Sequence, residues 1–106
     1  MCIRDSILSG ALKDKIPLEH FAFCTDDKQL ADIACEGHIR WNIKKAIDLG
    51  VPPPQAIAMA TIQPARWYGL AELGAIAPGY QGDLVVLDDL RAVSYTHLNG
   101  SCRAIR

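Results

Sequence analysis

Apolar residues come in short blocks along this chain, each closed by glycine, proline or a polar cluster. Phe21-Ala22-Phe23-Cys24 predicts a short buried strand, because aromatic residues suit a pleated packed surface and no proline interrupts them. Before it, residues 7–12 are apolar and helix-compatible, Lys13-Asp14-Lys15 is a solvated turn, and Pro17 leads toward the strand. Beyond Asp27 the spacing becomes helical. Over 28–36, Leu30, Ile33 and Ala34 share one helical face, and Gly37 ends or bends that helix. Over 38–49, Ile39, Ile43, Ala46 and Ile47 line one side, with Gly50 placed as the stop. Val51-Pro52-Pro53-Pro54 is a rigid connector whose last proline can occupy the first turn of a third helix, over 54–61. A further short helix covers 65–68 and closes at Gly69; Met59 is expected in the core, and Trp67 and Tyr68 as packing anchors. Residues 73–79, bracketed by glycine and proline, read as a short strand and turn, and Gln81-Gly82-Asp83 as a second turn. Leu84-Val85-Val86-Leu87 predicts a buried strand that ends in solvent at Asp88-Asp89.

Composition narrows the classes. At 106 residues and 50% hydrophobic content the chain can bury one small core. A formal net charge of −1 gives no electrostatic case for nucleic acid or an anionic membrane. No apolar run reaches the roughly 18 residues of a membrane helix, and no secretory signal stands at the start, so cytoplasmic location is the default. Cys2, Cys24, Cys35 and Cys102 form no C-x-x-C pair, and Cys24 and Cys35 read as small buried hydrophobes. Met1-Cys2-Ile3-Arg4-Asp5-Ser6 resembles a translated sequencing adapter, as does Val93-Ser94-Tyr95-Thr96-His97-Leu98, so 1–6 and 93–106 are expected to be non-native tails.

Chemistry concentrates at Thr25-Asp26-Asp27, directly after the first apolar block. Carboxylates at the end of a buried strand need a partner, a hydrogen bond or a metal. In barrels of alternating strands and helices the reacting groups sit at the carboxyl ends of strands. Asp26 is therefore a candidate metal ligand and proton carrier; the alternative is that Thr25, Asp26 or Asp27 only caps the following helix. His20 lies at the strand entrance and His38 opens the second helix, and neither has a second histidine at ligand spacing.

Taken in order, the blocks resemble the adenine deaminases of the amidohydrolase superfamily. They are Thr25-Asp26-Asp27, Glu36-Gly37-His38-Ile39, Ala46-Ile47 with Gly50-Val51, Met59-Ala60-Thr61-Ile62 with Pro64-Ala65, Tyr68-Gly69-Leu70, Leu73-Gly74-Ala75-Ile76-Ala77-Pro78-Gly79 and Gly82-Asp83-Leu84-Val85-Val86-Leu87-Asp88. The resemblance implies an α/β fold: residues 7–70 as the end of a (β/α)8 barrel, last strand and following helices, and 71–92 as part of a small β-sandwich. The isolated chain is expected to be mostly helical. It also implies hydrolytic deamination of adenine to hypoxanthine and ammonia, a binuclear centre of manganese or iron, and Asp26 as both metal ligand and catalytic acid-base group. Adenine is the implied partner, without nucleic acid or membrane, and a homo-oligomer is compatible with the pattern.

The His-x-His pair and further ligands implied by that resemblance have no counterpart here, since the three histidines are His20, His38 and His97. Other readings are a fragment of another hydrolase of the superfamily, a small structural helical domain, and a helix-turn-helix module. Three prolines fill the turn of that module, and Arg66 is its one nearby base. Cys24 as a nucleophile with His38 is a further arrangement. One acid cannot hold a catalytic metal alone. The 106-residue chain by itself is therefore expected to release no ammonia from adenine and to melt without a sharp cooperative transition; adenine-dependent release with stoichiometric metal would overturn this.

Overall fold

The computed structural model describes the backbone over 3–86 and 103–105 and side chains over 6–85. The described chain is mostly helical: α1 (Ile3–Lys13), α2 (Leu30–Glu36), α3 (Ile39–Asp48), α4 (Pro53–Ala58) and α5 (Ile62–Trp67). A 3-10 turn, Leu18–His20, follows α1. Strand β1 (Leu84–Val86) pairs antiparallel with β2 (Arg103–Ile105), Leu84 standing opposite Ile105.

The core forms where α1, α3 and α4 meet. Leu8 and Ala11 of α1, Leu18, Ala46 of α3, Val51, Ala56 of α4 and Met59 are buried together, with Leu12, Phe21, Phe23, Ile43 and Ile47 packed around them. Of the stripe predicted on the second helix, Ile43, Ala46 and Ile47 pack there. Ala46 and Ala56 have no exposed surface, and such small side chains let two helices approach closely. The connector sets their angle. Gly50 takes φ +100°, Val51 donates its N–H to Ala46 O at 3.0 Å, and Pro52 caps α4. Pro53 then occupies the first helical position, where no N–H is required. Among the described residues no helix is long and apolar enough to cross a membrane.

Several expectations are corrected. Residues 21–24 form no strand: among the described residues no strand lies beside them, and Phe23 N–H instead donates to Met59 O at 2.8 Å. The first predicted helix after Asp27 starts two residues late, because Lys28 N–H is engaged by Asp26 O in a tight turn. α2 buries none of its residues, and Leu30 is 85% exposed. Cys24 and Cys35 are exposed rather than buried. Trp67 and Tyr68, at 70% and 82% exposure, are not packing anchors among the described residues. Residues 73–79 are turns, folded back by Gln81 N–H to Glu72 O at 2.8 Å and Tyr80 N–H to Ala77 O at 3.0 Å. The readings of Leu87, Asp88-Asp89 and 93–98 fall outside the described residues.

Gly74 is where the turn region meets α5. Its φ is +88°, and a Cβ there would lie 2.6 Å from Ile62 Cα, 2.8 Å from Ile62 N and 2.9 Å from Thr61 C. All three are backbone atoms, so no side chain can swing aside. Gly74→Ala is expected to destabilise the chain by about 1–3 kcal/mol in urea unfolding. Gly82→Ala, which meets nothing within 4 Å, is expected to stay within about 0.5 kcal/mol.

Candidate functional site

The extended segment 21–24 is fixed from beneath by the core. Phe23 is tied to Met59 O at the end of α4, and Asn42 of α3 donates from Nδ2 to Cys24 O at 3.1 Å. Asn42 is buried, so its amide needs such a partner. The chain then leaves the core. Thr25 Oγ1 lies 3.3 Å from His38 Nε2, the histidine immediately before α3. Gly37, with φ +89°, reverses the chain between α2 and His38 and makes that approach possible.

Asp26 is the centre of the turn. Its φ is +54°, the left-handed region that aspartate tolerates better than most residues. Two hydrogen bonds hold it there: its N–H donates to Cys24 Sγ at 3.3 Å, and its carbonyl accepts from Lys28 N–H at 3.0 Å. The side chains of Asp26 and Asp27 are exposed. Capping is not their role, since Gln29 occupies the N-cap of α2 and no side chain caps that helix. Lys28 Nζ is buried and lies 3.1 Å from Glu36 Oε2, a close ion pair without the alignment of a good hydrogen bond.

Of the residues singled out from sequence, the structure brings His38 to Thr25, beside Asp26, and leaves His20 exposed next to Glu19 at 3.8 Å. The Cys24–His38 arrangement does not form: Cys24 Sγ accepts from Asp26 N–H, and His38 bonds Thr25. Asn42, Lys28 and Glu36 were not anticipated. Asn42 carried a usable signal, because it sits on the same helical stripe as Ile39, Ile43 and Ala46, where a polar side chain must have a buried partner.

A carboxylate is a hard oxygen donor of the kind that divalent cations take, and the Asp26 side chain is exposed. Among the described residues no three histidine, cysteine, aspartate or glutamate side chains gather to complete a centre.

The sequence profile of the amidohydrolase family matches residues 3–104. The chain belongs to the amidohydrolase family. It is 54% identical over 89 residues to the adenine deaminase of Desulfitobacterium hafniense (strain Y51), covering 84% of this chain and 16% of that protein. It is 44% identical over 99 residues to the adenine deaminase of Desulforamulus reducens (strain ATCC BAA-1160 / DSM 100696 / MI-1), covering 91% and 17% respectively. With the adenine deaminase of Geobacillus kaustophilus (strain HTA426) it shares 41% identity over 102 residues, 91% of this chain and 18% of that one. The chain therefore spans less than a fifth of the length of these curated relatives. No solved structure matches it.

Asn42→Ala is expected to leave Cys24 O without its donor and to cost about 1–3 kcal/mol in urea unfolding. Asp48→Asn, which breaks the exposed 3.1 Å pair with Lys44, is expected to change stability by less than about 1 kcal/mol.

Proposed function

We propose that this chain is a segment of a metal-dependent adenine deaminase, converting adenine and water to hypoxanthine and ammonia. The observation that carries the reading is 41–54% identity to adenine deaminases across most of the chain. On this reading residues 7–70 form the end of a (β/α)8 barrel and 71–92 part of a β-sandwich. Exposed Trp67, Tyr68, Leu70 and Ile76 support a segment whose apolar partners lie elsewhere in a larger protein. The parent enzyme would act in the cytoplasm, in adenine catabolism, with manganese or iron in a binuclear centre.

The reaction forms a C6–O bond and breaks the C6–N bond, so a proton must travel from the attacking water to the departing amine. A divalent metal, when bound, supplies the Lewis acidity that makes water a competent nucleophile at neutral pH. Asp26 is the group in this segment that would contact the metal and carry the proton. Its carboxylate is exposed, while its backbone is pinned on both sides, so the side chain is available at a fixed point. A carboxylate at such a point can take a proton from water and return it to the leaving nitrogen.

In a full-length chain carrying this segment, Asp26→Asn preserves the shape but removes the base. Adenine-dependent ammonia release is expected to fall by at least about a hundredfold, measured by a coupled ammonia assay. Activity within a few-fold of the unsubstituted enzyme would remove Asp26 from the chemistry.

A further inference from the structure

The Asp26 turn is tied to the helices by three side-chain links: Asn42 to Cys24 O, His38 to Thr25, and Lys28 to Glu36. Lys28 is the unusual member. Lysine normally keeps its ammonium in water. Here the side chain is only 7% exposed, its Nζ has lost its solvent, and Glu36 Oε2 lies 3.1 Å away. Burying an ammonium is costly unless its charge is matched, so this placement needs Glu36. The same residue donates its backbone N–H to Asp26 O at 3.0 Å. Lys28 thus grips the turn with its main chain and the last residue of α2 with its side chain. α2 buries none of its own residues, so packing does not set the distance between that helix and the turn.

We propose that Lys28, anchored by Glu36, is a positioning residue that holds the left-handed turn at Asp26 and so fixes where its carboxylate stands. This rests on the reading of Asp26 as the acid of the deaminase site. Lys28 touches neither substrate nor reacting atoms; it acts through the backbone of Asp26. Loss of the ammonium frees the end of α2, loosens the turn and lets the carboxylate wander from its ligand position. Groups one step removed from a metal ligand commonly alter metal affinity or activity by about 10–100-fold when removed.

The test uses full-length Desulfitobacterium hafniense adenine deaminase in which residues 7–86 of this chain replace the matching segment. Lys28→Met keeps the apolar stem and removes the charge. It is expected to lower kcat and manganese affinity about tenfold, with KM for adenine within about twofold and Tm nearly unchanged, since the Glu36 side chain is 44% exposed and keeps its water once the ammonium is gone. Lys28→Arg, which keeps the charge, is expected to recover most of the loss. Glu36→Gln strands the buried ammonium and is expected to lower Tm as well as kcat. Lys28→Met with unchanged kcat and manganese affinity would overturn the proposal. So would a loss of kcat matched by a fall in Tm and not recovered by Lys28→Arg, which is the signature of a merely structural lysine. A graft that retains Lys28 yet binds manganese without releasing ammonia would instead overturn the deaminase reading.

Discussion

The contact between α3 and α4 governs everything else in the described chain. Ala46 and Ala56 are fully buried, and Val51 and Met59 beside them are nearly so. Small side chains at the crossing bring the two helices close, and the Gly50-Val51-Pro52 connector fixes the angle. The consequence reaches the site directly. Met59 O, exposed by the end of α4, is the acceptor that holds Phe23, and Asn42 on α3 holds Cys24. The extended segment therefore lies across two packed helices and inherits their rigidity, although it belongs to no sheet.

Packing on the core ends before Thr25. From there to His38 the chain makes an excursion whose helix contributes nothing to the core. Hydrophobic packing cannot position it, so polar links take over: a histidine to a threonine, a lysine to a glutamate, and backbone bonds on either side of Asp26. This division has a chemical logic. An exposed carboxylate keeps its hydration, which burial without a partner would take away. Its backbone can be fixed while its side chain stays in solvent, and that is the state of Asp26.

The helices were legible because their apolar stripes recur with helical spacing, and the stripe of Ile43, Ala46 and Ile47 is the one that packs. Gly37 and Gly50 marked real helix ends, both at positive φ. What failed did so for want of partners. Among the described residues, 21–24 have strand character but no strand beside them, and Trp67 and Tyr68 have bulk but stay exposed. Asp26 was legible as an acid at the end of an apolar block, whereas its grip by Lys28 was not. A lysine one turn ahead of a helix looks solvated in sequence, and only the three-dimensional return of Glu36 shows that it is buried.

The three links across the excursion are nested, with the Lys28–Glu36 pair inside Thr25–His38, 13 residues apart, and that inside Cys24–Asn42, 18 apart. Closing a loop costs chain entropy that rises only logarithmically with its length, and a clasp already made inside shortens what remains to be closed. The route of least entropic cost is therefore a zipper that runs outward from the innermost pair to the core. Asp26 lies inside the two outer closures and next to the innermost, so its geometry is inherited from all three and from none alone.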